Sequence, residues 1–360
     1  SVVVARLDDE RASATLVVSD GNAVEVEGAR RVPGEHVGDG IVRFAVEGLH
    51  PDRTFAYGIE LDGVLETTDG TFRTFPEGPA SFTIAFGACA RTGSNGAVFD
   101  AIREHDPLLY VVLGDFNYAN PRGNDLPRFL GAYSSTLSAP AQAALYRSTS
   151  VAYVWDDHDY GGNDADAASP SRPAAQRAYR LAVPHYPIPS AEQGIYQSFP
   201  VGRLRFILTD LRSNRVPAPE VGDPRMLGSE QLAWFERELE LAASNGQVVV
   251  WGSASPWIQA PTPGSDTWGG FAAERERIAA TIARLDLADR LVMLGGDAHM
   301  IAYDGGANAA YAGPTSGFPV LHAGALDRPG GIKGGPYEVG PFPGPGHFGP
   351  VAVFDDGGDT

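Results

Sequence analysis

The chain has 360 residues, 43% hydrophobic and 20% charged, which is ordinary for a globular protein but long for one core, so two domains are expected. A net charge of -18 and a pI near 4.8 exclude nucleic-acid backbones and anionic membranes as docking partners, and any phosphate chemistry must rest on locally concentrated positive charge. There is one cysteine, so no intrachain disulfide forms, and no apolar stretch approaches the ~20 residues of a bilayer span. Ser1 leads directly into the strand-like run Val2 to Ala5, and a mature, processed chain is expected.

Residues 1 to 78 read as all-β. Val42, Phe44 and Val46 alternate with Arg43 and Ala45, and Phe55, Tyr57, Ile59 and Leu61 repeat the period of two. Asp62-Gly63 then breaks the pattern, a hairpin signal because a type I′ turn needs positive φ. Phe72 to Phe75 gives a last strand before Pro76-Glu77-Gly78-Pro79, a linker. The stretch Val46 to Tyr57 resembles the signature of fibronectin type III-like sandwiches. No cluster of reactive side chains falls here, so a positioning role is expected.

From Ser81 onward strands alternate with helical patterns, which argues an α/β architecture over 79-360. Val98, Ala101 and Ile102 have helical spacing after Ser94-Asn95-Gly96. Helices are expected over 172-183 with Ser171 as N-cap, over 230-244 with Ser229 as cap, and over 274-285. Ile195 to Phe199 and Arg203 to Asp210 read as paired strands. Between Asp327 and Pro350 the chain is rich in Gly and Pro, an ordered loop expected to cover the site, and Val351 to Phe354 is a final strand.

Chemistry gathers where apolar runs stop. Leu108 to Leu113 reads as a strand buried on both faces, and it ends at Gly114-Asp115, with Tyr118 three residues on. Val151 to Trp155 runs into Asp156-Asp157-His158-Asp159, and Leu291 to Leu294 into Gly295-Gly296-Asp297-Ala298-His299. Phe82 to Phe86 ends at Gly87-Ala88-Cys89. Taken singly, a turn aspartate, a small buried cysteine and a rim tyrosine are all common. Three carboxylates around His158 straight after a buried strand are not, since they repel one another unless a cation lies among them. Their recurrence at several strand ends, where open α/β sheets collect ligands, predicts a metal site. His105, His185 and His347 lack such a context, and His322 is set apart only by following the run Phe318 to Leu321.

A mixture of thiolate, phenolate and imidazole with carboxylate suits two unlike metals, a ferric ion on the softer donors and a divalent one on the aspartates. Two cations bridged by one carboxylate bind a pair of phosphoryl oxygens and acidify a water, and so hydrolyse phosphoric esters by in-line attack of hydroxide. His158, beside Asp157, is placed to stabilise the transition state or to protonate the leaving oxygen.

Gly114 to Tyr118, Asp157-His158-Asp159 and Gly296 to His299 resemble the motif series of the calcineurin-like metallophosphoesterases. The Gly-Asp-x-x-Tyr form is similar to purple acid phosphatases, and the whole set to the alkaline phosphatase D family. Ala88-Cys89, Trp155 to Asp159, the stretch Arg172 to Tyr179, Thr209 to Arg212 and Met226 to Trp234 agree with it. Asp266-Thr267-Trp268 with Glu274-Arg275 agrees as well. The resemblance implies a four-layer sandwich, two packed mixed sheets flanked by helices, preceded by a small all-β sandwich domain. It also implies iron (Fe3+) with one or two calcium ions (Ca2+), other divalent metals being alternatives, and export. Cys89, Asp115, Tyr118 and His299 match iron ligands with Asp115 bridging, and Asp157 and Asp297 face the second metal. Asn117, Asn163 and Arg172 are expected on the substrate-binding side. Asp159 stands where the family has Glu, Phe116 where it often has Tyr, and Trp251-Gly252-Ser253 lacks the metal-binding His of broader relatives.

The expected function is a secreted or periplasmic, metal-dependent hydrolase of small phosphomonoesters or phosphodiesters. The alternatives are a non-catalytic binding protein on a decayed phosphatase domain, and a phospholipase-type or sulfate-ester activity at the same site.

Overall fold

A computed structural model describes residues 1-8, 12-24, 27-190, 192-219 and 222-358. Its first seven strands are β1 (Val2–Arg6), β2 (Ala14–Asp20), β3 (Arg30–Pro33), β4 (Glu35–Gly38), β5 (Ile41–Ala45), β6 (Thr54–Leu61) and β7 (Val64–Arg73). They form a three-stranded sheet, β1-β5-β4, facing a four-stranded one, β3-β2-β6-β7. Every pairing in both is antiparallel. The period of two is the cause: Val42 and Phe44 point inward to meet Leu16, Val18, Phe55 and Phe72 in a core of their own. Leu61 pairs with Val64 across Asp62-Gly63, with φ 48° at Asp62 and 84° at Gly63, as that dipeptide predicts.

The rest of the chain runs β8 (Phe82–Gly87), α1 (Ala97–Glu104), β9 (Leu109–Leu113), α2 (Leu126–Leu137), α3 (Pro140–Ser148), β10 (Ser150–Val154), α4 (Asp157–Tyr160) and α5 (Arg172–Ala182). It continues with β11 (Gln197–Val201), β12 (Leu204–Leu208), α6 (Gly228–Ser244), β13 (Val248–Ser253), α7 (Ala272–Arg284) and β14 (Leu291–Gly295). β15 (Met300–Asp304), β16 (Val320–Ala323), β17 (Val339–Pro343) and β18 (Gly349–Val353) complete it. One sheet has the order β10-β9-β8-β18, the other β11-β12-β13-β14-β16-β15-β17. Phe206, Leu208, Val250 and Leu294 face the first sheet, while the alternate residues Ile207, Val249, Trp251 and Met293 face α6 and α7. With α1, α2, α3 and α5 beyond the first sheet, the layers are helix, sheet, sheet, helix, as expected.

β8, β9 and β10 are parallel, and so are β12, β13, β14 and β16, which brings their C-terminal ends to one edge. Two caps differ from expectation. Ser171 occupies the N-cap of α5 but spends its hydroxyl on Ser169 Oγ at 2.6 Å, and Ser229 lies inside α6, whose N-cap is Leu227. The seven-stranded portion is tied to the rest by Arg43 of β5, whose Nη1 donates to the carbonyls of Arg180, Leu181 and Val183. These are carbonyls that the end of α5 leaves without helical partners.

Candidate metal centre

Three of the four strands, β8, β9 and β14, run into a residue that breaks the strand conformation. Cys89, Asp115 and Asp297 have φ of 66°, 51° and 60°, the left-handed region that strands cannot continue through. Each turn swings a buried polar side chain out past the sheet edge. Glycine makes the close approach possible: a Cβ on Gly114, itself at φ 82°, would lie 2.4 Å from Asp156 Cβ and 2.9 Å from its nitrogen. Where the two sheets meet, a Cβ on Gly296 would lie 2.2 Å from the carbonyl oxygen of Leu113.

Cys89 Sγ lies 3.6 Å from Asp115 Oδ2, and both residues are buried. The Tyr118 hydroxyl is 3.0 Å from His299 Nε2, and the Tyr118 ring packs on the His158 ring with centroids 4.1 Å apart. His299 Nδ1 is 2.7 Å from the carbonyl of Pro329, which only accepts, so the neutral ring carries its proton on Nδ1 and turns the Nε2 lone pair to the cluster. His158 is fixed the same way. Asn120 gives its Nδ2 to the Tyr118 carbonyl at 2.9 Å, so its Oδ1, 2.5 Å from His158 Nδ1, accepts and leaves Nε2 free.

Three groups have ligand atoms within 4.8 Å of one another: Cys89, Asp115 and His299; Asp115, Asp157 and His158; and Asp157, Asp164 and Asp266. Adjacent groups share a carboxylate, Asp115 between the first two and Asp157 between the last two. Asp297 is outside them; its Oδ1 takes Lys333 Nζ at 2.6 Å and its buried Oδ2 has no partner. Asp156 likewise accepts from Arg212 Nε at 2.5 Å on Oδ1 and keeps an unpartnered, buried Oδ2.

Burial, then the charges of Asp157, Asp156 and Asp159, push the Asp115 carboxyl well above the usual carboxylate range. Burial raises Asp297 to about 6 against the pull of Lys333, and raises Cys89 and Tyr118 as well. Burial also lowers His158 and His299, keeping both imidazoles neutral and able to offer lone pairs. Acidic oxygens packed so closely either hold protons or hold a cation. The donor set fits metal: neutral, tautomer-fixed imidazoles, a thiol and a phenol converging on one carboxylate, with an ammonium already standing against Asp297.

The structure thus brings Cys89, Asp115, Tyr118, Asp157, His158 and His299 together, with Asp297 beside them. Asn117 is buried and serves its own loop, its Oδ1 accepting from Ala119 N at 3.1 Å. Asn163 is on the exposed rim, bonded to Asp164 Oδ2 at 2.8 Å, and Arg172 donates to the Glu192 carbonyl, outside the three groups. His322 is a fully enclosed core residue of β16, and burial lowers it to about 4. Asp159 accepts the backbone N–H groups of Phe116 (3.1 Å) and Asn117 (2.9 Å), and so holds the loop that carries Asp115 and Tyr118. Asp164, Asp266, Asn120, Arg328 and Lys333 were not singled out as site residues from the sequence. Only Asp266 stood within a named motif, and the Gly/Pro segment that carries Arg328 and Lys333 does lie over the site.

Strand-end ligands between two packed sheets define the metallophosphoesterase class of fold. The structure of PhoD superposes with a TM-score of 0.70 at 20% identity, covering 89% of this chain and 73% of that one. A purple acid phosphatase from seeds of yellow lupin (Lupinus luteus) superposes with 0.66 at 13% identity, covering 98% and 67%. The profile of the PhoD-like phosphatases matches residues 84–320, and the chain belongs to that family. Alkaline phosphatase D of Bacillus subtilis (strain 168) is 24% identical over 316 residues, 72% of this chain and 53% of that protein. The chain therefore spans about half the length of this curated relative. Among the described residues no helix is long and apolar enough to cross a membrane.

Proposed function

We propose that the chain is a metal-dependent hydrolase of small phosphoric esters, working at the edge where β8, β9, β10 and β14 end. The observation that carries this is the sharing of Asp115 by two adjacent candidate groups, so that one carboxylate would serve two cations. Cys89, Tyr118 and His299 with Asp115 would hold the first, a ferric ion matched by the negative charge of thiolate, phenolate and carboxylate, and Asp157 and Asp297 the second, calcium or another divalent ion. When bound, such cations polarise phosphoryl oxygens and acidify a water. His158, its Nδ1 proton held by Asn120, keeps the Nε2 lone pair toward the site at 4.0 Å from Asp157 Oδ1, where it takes a proton from water and then passes it to the leaving oxygen. Asp159 keeps the Asp115 loop in place. Asn163 would meet substrate from the exposed rim beside Asp164, whereas Arg172 and Asn117 act through the loops they hold. Residues 1-78 form a fibronectin III-like positioning domain, residues 79-360 the catalytic one, and the enzyme acts outside the cytoplasm.

Asp115→Ala tests the reading. Activity on p-nitrophenyl phosphate and bis-p-nitrophenyl phosphate is expected to fall by at least the ~10²–10³-fold that losing a single charge-stabilising group costs. Bound metal should fall with it, and wild-type turnover in that variant would overturn the assignment.

A further inference from the structure

The segment after β16 brings positive charge onto this acidic site at two points. Lys333, the single lysine among 27 Lys and Arg residues, is engaged by Asp297. Arg328 is not engaged. Its guanidinium carbon lies 4.0 Å from the centroid of the Tyr118 ring, and its buried Nε has no partner. Among the described residues the guanidinium makes no hydrogen bond and no ion pair. It is near enough to both His158 and His299 for its charge to help lower each.

An arginine that merely fastens a loop spends its donors on the protein, as Arg43 does on α5 and Arg212 on Asp156 and Asp266. At Arg328 the fastening is done by its neighbours. Asp327 Oδ1 accepts from Arg91 N at 2.6 Å, and the Pro329 carbonyl accepts from His299 Nδ1 at 2.7 Å. The chain is held on both sides, by the Asp327 side chain and the Pro329 carbonyl, the guanidinium rests on Tyr118, and its Nη groups stay free. That is a fork already oriented for an oxyanion.

Resting on the hydrolase reading above, we infer that Arg328 is a substrate-binding residue that selects phosphomonoesters over phosphodiesters. A monoester dianion has three non-bridging oxygens, so with two directed at the ligand groups one remains for the Arg328 fork. A diester has two such oxygens and one negative charge, and offers the fork only an esterified, poorly accepting oxygen.

Arg328→Ala and Arg328→Lys are compared with the wild-type protein on p-nitrophenyl phosphate and bis-p-nitrophenyl phosphate, with metal content and inhibition by inorganic phosphate measured alongside. For Arg328→Ala the expected loss in kcat/KM is about 30-fold for the monoester and under about 3-fold for the diester, the scale of one bidentate charged contact. Phosphate inhibition should weaken in parallel, bound metal should stay unchanged, and Arg328→Lys should recover part of the monoester rate. An equal loss on both substrates, no loss, or a loss that follows metal content would overturn the inference while the hydrolase reading stands. A wild-type protein inactive on both esters would instead overturn the hydrolase reading, and this inference with it.

Discussion

Left-handed aspartates occur both in the seven-stranded portion and at the strand-end edge, and the two regions use them oppositely. Asp39, Asp52 and Asp62, with φ of 56°, 52° and 48°, sit at bends between strands with their side chains at or near the surface. Asp115 and Asp297 adopt the same conformation, but their carboxylates are buried. At a hairpin tip the twist only reverses the chain. At the edge it forces acidic oxygens into contact, which raises their pKa and leaves Asp297 Oδ2 without a partner. The difference teaches that backbone strain alone marks nothing; strain that aims a buried, unsatisfied group does.

Removal of metal should separate the regions most sharply. Chelation is expected to abolish turnover, restored by adding the metal back, while the far-UV spectrum persists. Asp297 and Asp159 are raised by burial to about 6 and about 7, above the ordinary carboxylate range. The chelated fold therefore holds protons that the unfolded chain has released, and that stability is lost as pH rises through 6 to 7. Metal beside Asp297 competes with its proton, so the gap in Tm between metal-loaded and chelated protein should widen from pH 5 to pH 8. A constant gap would break the comparison.

His322 gives a smaller effect of opposite sign. Burial lowers it to about 4, so below the ordinary value of 6.5 the unfolded chain takes up a proton that the fold refuses. Stability is full above pH 6.5 and drains away as pH falls toward 4, by about 3 kcal/mol for this shift of roughly 2.5 units. His322→Leu should flatten that limb of a denaturation-versus-pH curve. The smallest effect is expected at the hairpin tip. Asp62→Gly relieves left-handed strain of about 1 kcal/mol. It forfeits the 2.8 Å bond from Ser13 N, worth about as much, so stability and turnover should both stay near wild type.

Much of this arrangement was legible in the sequence because it is periodic. Uninterrupted apolar runs announced β9, β10 and β14, and the residue types at their ends announced the clusters of acidic, thiol and imidazole groups found there. Asp62-Gly63 announced its hairpin. α2 and α3 were not foreseen: Pro127 and Gly131 in α2 and Pro140 at the start of α3 blur the helical pattern, although a proline in the first turn lacks only a hydrogen bond the helix does not use. Lys333, Arg328, Asp266 and Asp164 could not be placed because each reaches the site on a loop, and no period tells where a loop returns. The candidate cluster follows from strand order; what surrounds it follows from chain paths that only three dimensions reveal.

The grip of Arg43 on the last carbonyls of α5 bears on how this protein can be handled. Those oxygens lie at one end of a helix whose Tyr179 packs on Trp155, the residue that leads into Asp156 and Asp157. A fragment trimmed to start at the linker would leave them to water and slacken the support beneath the acidic edge. The first 78 residues are better regarded as a brace for the chemistry than as a detachable tag.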